Sequence, residues 1–532
     1  MTRRDMLKAL GATAAFHTLV PSWSVHAASA PAGAVDNFTW FNKHLNLSAQ
    51  VARHYDVWNR CGDATHAAAE PWRMGFDHLR TILADAQASG RRVRAVGSRW
   101  SLSPVAVCPD VMINTAPLNF HRVGLPAEHV SSTVVDPRHL VFAQCGASVL
   151  ELSDTLERRG LSLPTSGASN GQTICGAIST GTHGSARRVG AMQDFMLGLH
   201  ILAEDGRSYW IERASTPVVS DAFCEYLGAT LVRDDQLFRA AVVSLGSFGV
   251  IHAVLFEAVP IYLLEVHRTR IDWADAARAA FTLDMSGLDL PYDEEPFHFD
   301  VALNPYLTGV GKRGAIVTAM YKRPYRDGAP RQAKAGKLVP GVDLLGIAGR
   351  LAEVAPATIP AAVGAIFDSI LKAKTGPSIG THGQVFDATE LIGKSLSAEV
   401  GVDLQDTAAA VETLLGVIHD YPYPGMLGLR YVQRSDAQMA FTRFATTSTI
   451  EMTGPGSKRT NTFYERAWAA LDAARIPYAQ HWGKVNSTTC DNVRDRFGSG
   501  VDEWLAARRG FLSPAGRAMF ANDLLTKCGL DR

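Results

Sequence analysis

One stretch dictates more of this chain's fold than any other: residues 163–202, LPTSGASNGQTICGAISTGTHGSARRVGAMQDFMLGLHIL. Its centre carries Gly167, Gly171, Gly176, Gly181 and Gly184, with Ser, Thr and Asn filling most of the gaps. Glycine lets backbone approach a ligand closely and adopt positive φ. Small hydroxyl residues and successive backbone N–H groups make an anion cradle, above all for phosphate. Charge is scarce here until Arg187 and Arg188, so backbone does the gripping.

A second candidate cradle lies upstream. Residues 92–96, RVRAV, read as a strand that runs into Gly97-Ser98-Arg99-Trp100-Ser101-Leu102-Ser103-Pro104. Further on, Gly246-Ser247-Phe248-Gly249 opens a strand over 250–259.

At 532 residues the chain calls for two to three domains. Lys+Arg and Asp+Glu balance at 52 each, which argues against a nucleic-acid or anionic-membrane partner. Seven cysteines with no CxxC pair make neither a disulfide framework nor a cysteine zinc site, and no metal site is expected. Arg3-Arg4, an apolar run over 9–20 and the small residues Ala27-Ala28-Ser29-Ala30 read as a twin-arginine signal peptide over 1–30. No other stretch holds 18 uninterrupted apolar residues, so an exported protein without stable membrane insertion is expected, periplasmic or secreted.

Residues 31–74 read as an irregular lead-in. Helical spacing covers 77–89, and 148–159 adds Ser148 as N-cap with Glu151 in the capping-box position. Strands are expected at 111–114, 133–136, 140–144, 195–202 and 208–212, with a short helix at 237–242. After about residue 260, strands at 297–303, 315–321, 426–433 and 447–453 alternate with an alanine-rich helical region at 340–375 and a helix at 462–473. Residues 512–530 read as a turn and a closing helix. Gly309 to Gly314 matches GxGxxG, but a strand-like run follows it, so it reads as a hairpin turn. Gly376-Pro377-Ser378-Ile379-Gly380 matches GxSxG without the strand–turn–helix of a nucleophile elbow. A serine hydrolase using Ser378 is thus a weaker alternative.

Taken together, these segments resemble the vanillyl-alcohol-oxidase-type FAD proteins, nearest to the aldonolactone and alditol oxidase branch. Arg94 to Ser101 resembles their first pyrophosphate loop, and 167–173 with 176–185 their second. Residues 246–251 resemble the segment that closes that domain, and HWGK at 481–484 and SPAGR at 513–517 the C-terminal signatures. The resemblance implies an α+β fold: a two-lobed PCMH-type FAD-binding domain over 75–260, an antiparallel-sheet substrate domain over 261–450, and a segment over 451–532 returning to the flavin site. It implies FAD as cofactor, held by Val96, Gly97, Ser98, Arg99, Trp100, Ser101, Gly171, Thr173, Gly176, Ala177, Ser179, Thr180, Gly181, His183, Gly184, Gly249, Ile251 and Lys484. It also implies oxidation of a CH–OH carbon of a small-molecule substrate (a sugar lactone, polyol or other alcohol) by hydride transfer to flavin N5, with O2 or a quinone or cytochrome as electron acceptor.

Two departures stand out. Trp100 falls where many members carry a histidine bonded to FAD, and Leu163 where others carry a cysteine, so non-covalent FAD is expected. Gly428 falls where sugar-oxidising relatives carry a Glu, which puts polyol or lactone specificity in question and motivates a flavin-holding protein without turnover as the second alternative. Arg430 and Lys484 remain as cations near the flavin, and Glu451 as a general base whose pKa an apolar pocket would raise. His481 is expected to pack on Trp482, and His183 to brace its loop.

Overall fold

The computed structural model describes residues 33–59, 72–307 save Val134, 313–326, 328–329, 349, 352–372, 377–387 and 394–532. The signal-peptide assignment over 1–30 lies outside the described residues, as does most of the region at 340–358.

Among the described residues three large sheets build the chain, beside a two-stranded pair of Leu161–Ser162 with Val259–Pro260. The first has four strands in the order Ala34–Phe41, Ser48–Asp56, Val111–Asn114, Val93–Val96. The helix Arg73–Ala88 buries Phe76, Leu79, Ile82, Leu83 and Ala86 along one stripe. The second sheet has six strands and pairs Met196–Leu202 with Ser208–Glu212 through the turn at Asp205-Gly206. One hydrophobic core runs through both sheets, joining Leu79 and Ile113 to Phe142, Leu199 and Val254. The helix Val149–Arg158 is set by the expected capping box, with Ser148 and Glu151 satisfying each other's backbone N–H. These are the two lobes.

The third sheet has eight antiparallel strands, ordered Ser378–Thr381, Tyr262–Asp272, Arg313–Pro324, His298–Leu307, Met426–Gln433, Thr446–Pro455, Ser395–Asp403, Tyr478–Gln480. Strand side chains alternate between faces. Leu427, Leu429, Ile450, Met452, Ala398 and Val400 face the helices Trp273–Thr282, Thr407–Asp420 and Lys458–Ala473 in a second core. Gly428, Arg430, Glu451, Ser397 and Glu399 therefore share the opposite face. The C-terminal helix Gly500–Phe511 then returns to the lobes, where Trp504 donates to the Val243 carbonyl and Arg508 to that of Ser247.

Several expectations need correction. The lead-in is not irregular: residues 34–56 form a hairpin that supplies half of the first sheet, and its polar-rich sequence hides the alternation because one face is exposed. Thr133, Val135 and Asp136 are not strand. The C-terminus holds two short helices, Pro514–Met519 and Asp523–Lys527, in place of one. The strand Ser395–Asp403, unrecognised in the sequence, lies near the centre of the site. The GxGxxG match falls between two antiparallel partners, as a hairpin requires, although 308–312 lie outside the described residues.

Candidate active site

A cavity of about 380 Å³ runs between the two lobes and the open face of the eight-stranded sheet. Val96, Gly97, Ser98, Arg99, Trp100 and Ser101 line it from the first loop. Thr173, Gly176, Ala177, Ser179, Thr180 and His183 line it from the second, Gly249 and Ile251 from the third, and Arg430, Glu451 and Lys484 from the sheet side. Gly171, Gly181 and Gly184 do not. Gly181 and Gly184 shape the loop instead: Gly181 has φ +79°, and a Cβ on Gly184 would come within 2.5 Å of the Ser166 carbonyl. The two pyrophosphate-type loops touch. A Cβ on Gly97 would lie 2.2 Å from Thr173 Oγ1, and the Thr173 N–H donates to Ser98 Oγ at 3.1 Å.

The residues fit an anionic dinucleotide. Arg94, overlooked as a ligand in the sequence, is 1% exposed and lines the cavity. Its Nη1 donates to the Leu245 carbonyl at 2.6 Å, while Nε and Nη2 are buried without partners among the described residues. Burial pushes its pKa down to about 9. An uncompensated buried guanidinium is costly, and a phosphate oxygen removes that cost. The signal was present: an arginine inside the apolar strand Val93–Val96 has no structural reason to be there.

On the sheet side lies a charge cluster. Glu399 and Glu451 sit directly opposite each other on neighbouring strands, an arrangement that repels. The Lys484 ammonium bridges them, 2.7 Å from Glu399 Oε2 and 2.6 Å from Glu451 Oε1. Arg430 pairs with Glu451 Oε2 at 2.7 Å and lies 3.9 Å from Glu399. Ser397 Oγ donates to Glu451 Oε1 at 2.9 Å. Lys484, Arg430 and Glu451 are thus brought together as expected, and Glu399, buried between Ala398 and Val400, was missed with its strand.

Glu451 needs a correction. Burial opposes its charge, yet Lys484 and then Arg430 outweigh it and hold the carboxyl well below its usual range. It is an anchor for two cations, not a base with a raised pKa. Glu399 is held low in the same way, by Lys484 and His183 against burial. His481 does not pack on Trp482. Its ring meets Phe441 at 4.8 Å and His183 at 5.9 Å, while Trp482 stacks on Phe497. Its Nδ1 accepts from the Gly483 N–H, and burial drives its pKa down to about 3. Ser513 and Gly516 pack against Glu204 rather than the cavity. Ser378 is exposed at the start of its strand and is absent from the cavity lining.

Trp100 lines the cavity edge-on to His44, its indole N–H buried and without a partner among the described residues. Leu163 is fully buried elsewhere. The thiols of Cys145 and Cys175 also line the cavity, but burial pushes Cys145 up to about 12 and Cys175 well above its usual value.

The two lobes and the cavity between them have the arrangement that the motif resemblance implies. Residues 76–212 match the family model described as FAD binding domain. The chain is 33% identical over 186 residues to a putative D-arabinono-1,4-lactone oxidase of Neurospora crassa, covering 35% of this chain and 28% of that protein. It is 31% identical over 192 residues to an L-gulono-1,4-lactone dehydrogenase of Mycobacterium tuberculosis, covering 36% and 38%. The chain therefore spans well under half the length of these relatives. In structure it is similar to a cholesterol oxidase from Brevibacterium sterolicum, with a TM-score of 0.68 over 93% of this chain and 97% of that one at 13% identity, a likeness of fold.

Two outcomes follow from the geometry. Arg94→Met should weaken FAD binding by about tenfold to a hundredfold, the worth of hydrogen bonds to a charged group, while the flavin-free variant melts no lower than flavin-free wild type. Flavin titration and thermal melts of both forms check this. Lys484→Met strips two facing carboxylates of their shared cation, at a cost of about 3–5 kcal/mol. In the wild type the lowered carboxyls contribute stability above their unfolded pKa, and that contribution fades as pH falls below it. In the variant Arg430 still faces Glu451 and His183 still faces Glu399, so burial raises the two carboxyls only part of the way and the variant gains less stability than the wild type as pH rises. Denaturation at pH 5 and pH 8 should show the gap between the two proteins widening at pH 8.

Proposed function

We propose that this chain is an exported FAD-dependent oxidoreductase that oxidises a CH–OH group of a small molecule, with FAD held non-covalently. The observation that carries the reading is the Lys484–Glu451–Arg430–Glu399 cluster at the end of a glycine-lined anion cradle. Bound FAD would supply the two-electron acceptor, taking hydride at N5.

The chain's own residues do the rest. Lys484 and Arg430 hold more donors than their carboxylate contacts use. They are placed to bind and orient a substrate oxygen and to supply fixed positive charge where negative charge develops. Glu451 and Glu399 hold both cations in place, which limits reorganisation during reaction. At Gly428 there is open space: its Cβ would meet only Glu451 Cβ, at 3.8 Å. The substrate class is a sugar lactone, polyol or other alcohol, and the lactone-directed names of the Neurospora and Mycobacterium relatives favour the lactone. The electron acceptor is O2 or a quinone or cytochrome. Non-covalent attachment is supported by indole at 100, leucine at 163 and two neutral thiols.

Purified protein should be yellow, and acid precipitation should leave the colour in the supernatant. A yellow pellet would overturn non-covalent attachment, and His44, a buried imidazole lining the cavity, is the side chain to map first. An anaerobic panel of lactones, polyols, sterols and phenols should contain a compound that bleaches the flavin. Lys484→Met should slow that bleaching by about 10²–10³. Bleaching by light alone, with no compound active, would favour a flavin-holding protein instead. Export is supported by Arg3-Arg4 and the apolar run at 9–20, and among the described residues no helix is long and apolar enough to cross a membrane. Replacing both arginines by lysine should retain the unprocessed chain inside the cell, as fractionation would show.

A further inference from the structure

The remaining contact at the site is between the glycine loop and the sheet, and it rests on the flavin reading above. His183 is buried, with its Nδ1 2.9 Å from the Gly184 carbonyl oxygen. A carbonyl only accepts, so Nδ1 carries a hydrogen and donates it. Its Nε2 lies 3.3 Å from Glu399 Oε1. Were Nε2 a bare lone pair, two acceptors would face each other in a water-poor site, which costs rather than stabilises. Turning the ring over puts carbon atoms at both positions and forfeits both contacts.

A proton in this contact removes that cost and offers a donor to Glu399 Oε1, which is buried and makes no hydrogen bond among the described residues. Glu399 Oε2 meets the Lys484 ammonium at 2.7 Å and Arg430 lies 3.9 Å from Oε1, so two cations keep Glu399 a carboxylate. The proton belongs to the ring. We propose that the His183–Glu399 contact holds one proton, so that a buried imidazolium stands as a third cation beside Lys484 and Arg430, and that this charge sets how readily the bound flavin accepts electrons.

The charges can be followed around the ring. Lys484 and Arg430 balance Glu399 and Glu451, Asp300 opposite Arg430 on the next strand is met by His298 Nε2 at 2.8 Å, and the imidazolium adds one positive charge beside Lys484. His481 also faces the pair but is neutral, its Nδ1 already accepting from the Gly483 N–H. Phe441, 5.0 Å from the His183 ring centroid, carries no charge. When a CH–OH carbon is oxidised, its C–H electron pair leaves with hydrogen as hydride to the flavin, its O–H proton passes to solvent water, and a C=O bond forms. The hydride brings one negative charge into the cavity, and the positive charge of the imidazolium offsets it. His183 acts through the field and through Glu399 on Lys484, which makes it a positioning residue.

The same three side chains, His183, Glu399 and His481, lie close enough to hold a cation, with donor atoms within 4.8 Å of one another. Lys484 occupies Glu399 and the Gly483 N–H occupies His481, so a proton fits the contact better than a metal ion.

The test compares the flavoprotein as purified with His183→Gln and His183→Asn. Gln offers Glu399 an uncharged N–H, whereas Asn keeps only the donor to Gly184. Both variants should retain flavin, show a more negative flavin midpoint potential, and bind the probe sulfite about tenfold or more weakly, as expected for removal of one nearby charge in a partly shielded site. In wild type labelled with ¹⁵N-histidine, both His183 nitrogens should resonate as protonated. Yellow variants with unchanged potential and sulfite affinity would overturn the proposal, as would a singly protonated ring or one stoichiometric metal ion in the wild type. If the variants come out colourless, the wild-type ¹⁵N spectrum decides. A colourless wild type would instead remove the FAD reading, and this inference with it.

Discussion

The Lys484 ammonium between Glu399 and Glu451 is the contact on which the site depends. Two carboxylates facing across neighbouring antiparallel strands would force the strands apart or take up protons. A shared cation makes the pair tolerable, and it comes from the chain just beyond the edge strand Tyr478–Gln480. The backbone helps to hold it there: the Lys484 N–H donates to the His481 carbonyl, and the next N–H, of Val485, to the Ser397 carbonyl. Sheet register and charge are in this way one constraint. A one-residue slip of either strand would turn Glu399 or Glu451 into the helix-covered core.

The opposite wall uses different physics for a related end. Its glycines bring backbone close where a Cβ would collide, as Gly97 does with Thr173 and Gly249 with the Leu202 carbonyl, 2.4 Å from where a Cβ would sit. Arg94 then adds a buried guanidinium with unspent donors. A wall of this kind is destabilised while empty and relieved by an anion. Binding energy at the phosphates is thus available to set the geometry of whatever extends from them toward Lys484 and Arg430.

Legibility in the sequence followed from how local each signal was. Glycine loops, the Ser148–Glu151 box and the strand Met426–Gln433 are written in consecutive residues, and the structure places them as expected. Arg430, Lys484 and Glu451 were found because they sit in recognisable motifs. Glu399 was not, because its meaning depends on register with Glu451, 52 positions away, and no local pattern carries that. The pKa of Glu451 was misjudged for the same reason: an apolar pocket was anticipated, but Arg430 from the neighbouring strand and Lys484 from the turn after the edge strand set the balance. The hairpin at 34–56 was hidden because exposed polar residues on one face dilute its alternation.

His183 joins the two walls. It belongs to the glycine loop by sequence and to the carboxylate row by contact, and its partner Glu399 is also Lys484's partner. A displacement of the loop that carried His183 away would leave Glu399 with one cation fewer and alter the field at Lys484. The cofactor cradle and the charge cluster are therefore not independent modules assembled side by side. They share a buried contact whose strength depends on a single proton, so the geometry that holds the phosphates and the charge that favours reduction stand or fall together.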